Sequence, residues 1–310
     1  MTEKLHVDET GIAKAAALLQ AGRIVAFPTE TVYGLGADAR NGQAVAAVYQ
    51  AKGRPAFNPL IVHVGDHAQA RHYVEWSDMA DILASAFWPG PVTLVLPLKT
   101  GHGLASLVTA GLPSLAIRVP AHPAARQLLA TFGGPVAAPS ANPSGRISPT
   151  TADHVLDGLD GKIAAVLDDG ACSVGLESTI IGLTGDRPRL LRAGGLPTEA
   201  IEAALGVPLA PATEGTVTAP GQLASHYAPD SAVRLDADHA TQTEVFLGFG
   251  PMECDLNLSK SGDLVEAAVN LFDHLHALNA LGRPIAVAPV PGHGLGRAIN
   301  DRLQRAAAPR

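Results

Sequence analysis

The 310-residue chain is 47% apolar but only 4% aromatic, with 32 glycines and 24 prolines, which describes a globular protein with a sizeable core and many tight turns. Its formal charge of −7, with no basic excess in either half, excludes a protein that coats nucleic acid indiscriminately, so any cationic site must be a local cluster. Cys172 and Cys254 are too few for a disulfide framework or a zinc site, no apolar run approaches the roughly 20 residues of a membrane span, and Met1 to Asp8 carry no secretory signal; the expected setting is the cytoplasm.

Ile12, Ala15, Ala16 and Leu19 are spaced for a helix over residues 10–21 closed by Gly22, and the short strand Ile24 to Phe27 stops at Pro28. Thr29-Glu30-Thr31-Val32-Tyr33-Gly34-Leu35-Gly36 follows. At a strand's carboxyl end such a hydroxyl-rich, glycine-punctuated stretch is either a turn with satisfied hydroxyls or a ligand site. Asn41 caps the next helix, which delivers Lys52-Gly53-Arg54-Pro55-Ala56-Phe57-Asn58-Pro59-Leu60. Gly53 permits a left-handed cap and the prolines hold Arg54 and Asn58 extended. Lys52, Arg54 and Asn58 are therefore expected on a stiff polar surface loop. It is either a solvated helix end, whose last turn favours cations, or a cradle for a polyanion such as a nucleotide's phosphates.

Leu60 to Val64 reads as a strand interrupted by His63, a pattern that usually means a hydrogen-bonded core histidine. Helices over 67–73 and 78–87 lead through Pro89-Gly90-Pro91 into the strand Val92 to Leu96. In the strand Ser114 to Pro120, Arg118 lies in the apolar half and needs a carboxylate neighbour or an anionic ligand. After a helix over 122–131, the strand Pro135 to Ala138 runs into a second rigid loop, Pro139 to Ser148. Its Ser140, Asn142, Arg146 and Ser148 are donors suited to phosphate and ribose oxygens. A helix begins at Thr150 or Thr151, a strand spans Ala164 to Leu167, another enters through Glu177-Ser178-Thr179, and Arg192 stands at a further strand end before a helix over 197–205.

From Gly206 to about Asp230 the chain is proline-rich and non-periodic; strands near 232–235, 244–248 and 284–288 then alternate with helices near 262–281 and 294–308. The expected division is a first domain over 1–207, a linker over 208–230 and a small C-terminal α/β domain over 231–310. Neither a G-x-x-x-x-G-K-[ST] nor a G-x-G-x-x-G motif is present, no G-x-S-x-G elbow surrounds Ser140 or Ser178, and no H-E-x-x-H offers a zinc site.

Five ordered motifs carry a family resemblance: Phe27-Pro28-Thr29-Glu30-Thr31-Val32-Tyr33-Gly34-Leu35, Lys52-Gly53-Arg54-Pro55 with Asn58-Pro59-Leu60, Pro89-Gly90-Pro91-Val92-Thr93, Ala138-Pro139-Ser140-Ala141-Asn142 and Glu177-Ser178-Thr179-Ile180. Over roughly residues 10–205 they resemble the YrdC-type threonylcarbamoyl-AMP synthases. With Ser225-His226-Tyr227-Ala228-Pro229 and the α/β tail, the chain looks like the longer, two-domain form. The resemblance implies an α/β fold, a twisted mixed sheet with helices and an open concave site. It implies a nucleotidyltransferase that forms threonylcarbamoyl-AMP and pyrophosphate from L-threonine, bicarbonate and ATP, for threonylcarbamoyladenosine modification of tRNA. Mg²⁺ would accompany ATP without protein side-chain ligands, and a downstream tRNA threonylcarbamoyl transferase complex would take the product. Whether tRNA itself touches the chain stays open, and no membrane is involved.

By residue matching, Lys52, Arg54, Ser140 and Asn142 would act catalytically at the phosphates, with Asn58, Ser114, Ser148, Arg192 and Tyr227 completing the ATP site. Thr31, His63, Arg118, Ala138 and Ser178 would hold threonine, and residues 208–230 would double as an active-site lid. Two other classes are compatible with parts of the sequence. A carbamoyl-transfer module of the hydrogenase-maturation type needs acylphosphatase-like and zinc-binding segments that this chain lacks. A non-catalytic RNA-binding module calls for a basic excess and stacking aromatics.

Overall fold

The computed structural model describes residues 1–212, 219–221 and 226–309. Its first unit holds the strands β1 (Glu3–His6), β2 (Val25–Phe27), β3 (Gly34–Asp38), β4 (Ile61–His63), β5 (Val92–Pro97), β6 (Ser114–Arg118), β7 (Val136–Ala137), β8 (Ala165–Asp168), β9 (Thr179–Gly182), β10 (Arg189–Arg192) and β11 (Ala210–Pro211). They form one mixed sheet in the order β1-β8-β2-β3-β7-β4-β6-β5-β9-β10-β11. Its helices are α1 (Glu9–Gln20), α2 (Gly42–Lys52), α3 (His67–Tyr73), α4 (Asp78–Phe87), α5 (Ser106–Thr109), α6 (Pro123–Phe132), α7 (Ala152–Leu159) and α8 (Thr198–Leu205). The tail adds β12 (Val233–Arg234), β13 (Val245–Gly248), β14 (Leu256–Asn257), α9 (Leu264–Asn279), β15 (Ile285–Val287) and α10 (Gly296–Ala307), with a four-stranded parallel sheet ordered β12-β15-β13-β14.

The helix bounds follow their local signals. Asn41 accepts from the backbone N–H groups of Gln43 and Ala44 at the start of α2, and Gly53 closes it with φ 60°. Thr151 caps α7 by accepting from His154 N–H. The cap of α2 places Lys52 and Arg54 where the chain leaves the helix.

Four strands are absent from the sequence reading: β1, β3 and the two-residue β11 and β14, of which β11 pairs with β10 at the start of the expected linker. Glu3–His6 pairs in parallel with β8 although Leu5 is its one buried residue, too little for an alternation signal. Gly34–Asp38 is a strand where glycines suggested only a loop. A Cβ at Gly36 would come within 2.8 Å of the Phe27 ring and 2.9 Å of Val136 Cγ1, so the glycine is there for close packing.

The tail is not a separate bead. Val32, Ile147 and Leu176 of the first unit share one apolar cluster with Tyr227 and with Leu247, Leu271, Phe272, Leu275 and Ile299 of the tail. At Gly175, with φ +74°, a Cβ would stand 2.4 Å from the carbonyl oxygen of Ala268, so α9 packs against bare backbone there.

Candidate active site

The two residues that interrupt apolar strands are neighbours: His63 on β4 and Arg118 on β6 face each other in parallel register. With the loop after β2, the start of the 138–148 loop and the entrance of β9, they surround a cavity of about 50 Å³. It is lined by Thr31, Arg54, His63, Arg118, Ala138, Ser140, Glu177, Ser178 and Arg192, and roofed by Pro220, Gly221, His226 and Tyr227.

The threonine-side set named from the sequence, Thr31, His63, Arg118, Ala138 and Ser178, all lines this cavity. Arg118 has met a carboxylate: it donates to Glu30 Oε1 at 2.5 Å, to the Thr31 hydroxyl at 2.9 Å and to the Gly90 carbonyl at 3.1 Å. Thr29 braces Thr31, their hydroxyls lying 2.7 Å apart. Burial, aided by Arg118, pushes His63 down to about 3, so its imidazole is neutral. Ser178 Oγ lies 2.7 Å from the Thr93 hydroxyl and accepts from Arg192 Nη2 at 3.2 Å.

The nucleotide-side set is less uniform. Arg54 lines the cavity while donating to the carbonyls of Asn58 (3.1 Å) and Pro59 (2.7 Å), and burial lowers it to about 10. Arg192 donates to the Ser178 carbonyl at 2.8 Å and to the Pro220 carbonyl at 3.4 Å. Behind it, a Cβ at Gly194 would fall 2.3 Å from the Glu177 carbonyl oxygen, so this strand end runs hard against the Glu177-Ser178 backbone. Ser148 donates to Glu177 Oε1 at 2.5 Å.

Lys52, expected on a surface loop, is 4% exposed and does not line the cavity. Its ammonium donates to the carbonyls of Ser140 (2.6 Å) and Asn142 (2.5 Å) and to Asn142 Oδ1 (3.2 Å), tying α2 to the second polar loop. Burial, then Arg54, hold it well below the usual lysine value. Ser114 opens β6 at the end opposite Arg118, roughly 13 Å away along a strand. Between them Ala219 of the linker packs on Ile61, Val95, Ala116 and Ile180, on the sheet face. Ser225 of the linker motif lies outside the described residues.

Several buried polar atoms have no hydrogen-bond partner among the described residues: Asn58 Nδ2 and Oδ1, His63 Nδ1, His226 Nδ1 and the Tyr227 hydroxyl. His63, His226 and Tyr227 line the cavity, and Asn58 stands on the Arg54 loop. Each such group costs about 1–3 kcal/mol unless a ligand or water meets it, and their convergence marks a binding site. Tyr227 also holds φ at 61°, a strained value for a non-glycine residue.

Sequence reasoning assigned no role to Glu30, Glu177 or His226, although all three stand in the quoted motifs. Glu30 and Glu177 are the counter-charges of the site. Burial alone pushes Glu177 up, but Arg302 and Arg192 hold it below its ordinary value. Arg302 was passed over too, and its signal was legible: a lone arginine in the buried stripe Ala298, Ile299, Leu303, Ala306 of α10.

Comparison with known proteins follows this geometry closely. Residues 17–194 match the Sua5/YciO/YrdC family model, described as "Telomere recombination", and residues 196–308 match the model described as "Threonylcarbamoyl-AMP synthase, C-terminal domain". The chain belongs to the Sua5/YciO/YrdC family, in its two-domain form. It is 40% identical to the threonylcarbamoyl-AMP synthase of Bacillus subtilis, over 100% of this chain and 96% of that protein. It is likewise 40% identical to the threonylcarbamoyl-AMP synthase of Pyrococcus abyssi, over 97% and 95%. The crystal structure of P. abyssi Sua5 complexed with L-threonine superposes with a TM-score of 0.91 at 38% identity, covering 99% of this chain and 97% of that one.

Proposed function

We propose that this chain is an L-threonylcarbamoyladenylate synthase, making threonylcarbamoyl-AMP and pyrophosphate from L-threonine, bicarbonate and ATP. The observation that carries this is the convergence of orphaned polar groups and arginines on one cavity, in a chain similar along its whole length to synthases of that name. Bicarbonate gives up water to form carbon dioxide, and threonine's neutral amine adds to its carbon and loses a proton to become a carbamate, so that one water leaves for each bicarbonate consumed. A carbamate oxygen then bonds to the α-phosphorus as the bond to pyrophosphate breaks. Both partners are anions, so the reaction needs fixed positive charge and in-line positioning.

In this reading Arg118, oriented by Glu30, receives the amino-acid carboxylate beside neutral His63, with Thr31, Ser178 and the Ala138 backbone completing the threonine seat. Arg54 and Arg192 face the phosphates, and Ser140, Asn142 and Asn58 supply donors next to them. Lys52 acts chiefly by holding the Ser140–Asn142 loop, and an arriving polyanion would draw its charge outward. Ser148 contributes to the nucleotide site through Glu177, and Ser114 completes it farther along β6. Among the described residues no three His, Cys, Asp or Glu side chains could hold a metal, and both site carboxylates are paired with arginines. In this reading magnesium accompanies ATP as the counter-ion of its phosphates.

Residues 1–207 form the catalytic domain in this proposal, 208–230 a linker that is also a lid, and 231–310 the tail that seats it. A cavity of about 50 Å³ is far below the about 300–1,000 Å³ of a small-molecule pocket, so ATP entry requires the linker to lift. Closure then shields a mixed anhydride from water. The product's consumer would be a transferase acting on tRNA in the cytoplasm.

The deciding assay is pyrophosphate release with ATP and Mg²⁺. It should require both threonine and bicarbonate; equal release with serine, or with no amino acid, refutes the assignment.

A further inference from the structure

Arg302 is the largest fully buried side chain among the described residues, yet it belongs to the tail and does not itself line the cavity. A guanidinium in the apolar stripe of α10 is not needed for packing, since a hydrophobic side chain of similar volume is often as stable there. Its contacts point elsewhere. Nε donates to Glu177 Oε2 at 3.0 Å, Nη1 donates to the Ala193 carbonyl at 2.6 Å, and the guanidinium carbon stands 5.2 Å from the Tyr227 ring centroid. Nη1 also meets Asp301 Oδ2 at 3.0 Å.

Two of the three first-named partners line the proposed site, and the third adjoins it. Glu177 precedes Ser178, accepts the Ser148 hydroxyl and lines the cavity. Ala193 follows Arg192. Tyr227 is part of the roof, and the neighbouring His226 N–H donates to the Arg305 carbonyl of the same helix at 3.3 Å. Without Arg302, the Glu177 carboxylate would face incoming phosphates beside Arg54 and Arg192 with its strongest counter-charge gone.

We propose that Arg302 is a positioning residue for ATP: it neutralises Glu177 at the wall of the nucleotide site and fixes the seat of Tyr227, so that the tail domain takes part in nucleotide recognition. The inference rests on the synthase reading for the identity of the nucleotide. Two consequences separate it from a merely structural role. The damage from losing Arg302 comes largely from an uncompensated carboxylate, so removing that carboxylate repairs it. Threonine, whose carboxylate is assigned to Arg118 beside His63, is affected less than ATP.

The test is calorimetric titration of ATP into full-length protein, without turnover, for Arg302→Met, Arg302→Lys, Glu177→Gln and the Arg302→Met/Glu177→Gln double variant. Breaking one partner of a buried charge pair is expected to weaken ATP binding by about tenfold or more in Arg302→Met. Arg302→Lys should recover part of the loss, and the double variant should bind ATP severalfold more tightly than Arg302→Met, because replacing a buried pair by neutral groups is tolerated better than leaving one charge unpaired. Should Arg302→Met not fold, the double variant and Arg302→Lys still carry the comparison. Wild-type affinity in Arg302→Met, or a double variant as weak as the single one, overturns the proposal. A wild-type chain that binds ATP yet releases no pyrophosphate with threonine and bicarbonate refutes the synthase reading alone; one that binds no ATP overturns both.

Discussion

Replacing Lys52 by Met keeps the aliphatic stem and the α2 backbone but deletes three donor contacts, to Ser140 O, Asn142 O and Asn142 Oδ1. Each buried acceptor left unsatisfied costs about 1–3 kcal/mol, and hydrogen bonds from a charged donor lie at the upper end. Against this, the ammonium carries a burial penalty, seen in its lowered pKa, which the variant escapes. The Ser144 N–H contact to the Lys52 carbonyl at 2.7 Å survives and still anchors one point of the loop. The net loss should be about 2–4 kcal/mol, or roughly 5–10 °C in melting temperature. Turnover should fall by about 10² or more, because the loop presenting Ser140 and Asn142 shifts against the phosphates. Scanning calorimetry and steady-state pyrophosphate release on the same preparation decide the matter. A melting temperature within about 1 °C of wild type, alongside lost activity, would refute the staple and return Lys52 to the role of a free phosphate ligand.

Tyr227→Phe removes a hydroxyl that has no partner among the described residues, so melting should stay level or rise while KM for ATP increases; unchanged KM would argue against nucleotide contact by this residue. Deleting residues 208–310 uncovers Val32, Ile147 and Leu176, at an upper bound of about 5–9 kcal/mol, so the 1–207 fragment should melt well below the full chain, and equal melting would refute the shared core. Acid should destabilise the fold: burial holds His63 and His226 near 3 and His276 near 4, whereas the unfolded chain takes up these protons near 6.5. Their contribution is complete above pH 6.5 and drains away below it, by up to about 1.4 kcal/mol per pH unit for each histidine. A urea midpoint that stays flat from pH 7 to pH 5 would contradict this.

Local order was legible in the chain. The Asn41 and Thr151 caps, the left-handed Gly53 and most strand and helix positions were readable because each is signalled within a few residues. The same holds for the odd polar residues: His63 and Arg118 each violate an apolar strand, and a violation of that kind is visible without knowing its partner. The motifs go further and identify the family, since their order and spacing are properties of the sequence itself.

What the sequence could not supply is which groups neutralise which. Arg118 meets Glu30 across 88 residues, Lys52 meets Asn142 across 90, and Arg302 meets Glu177 across 125. No local periodicity encodes such distances; they follow from the loop after β2 reaching the end of β6, from the packing of α2 against the second loop and from the docking of α10. The same docking sets Ala219 of the linker on the strands and Tyr227 in a core common to both units. A buried charge needs a counter-charge wherever the chain can bring one, and only the tertiary structure says where that is.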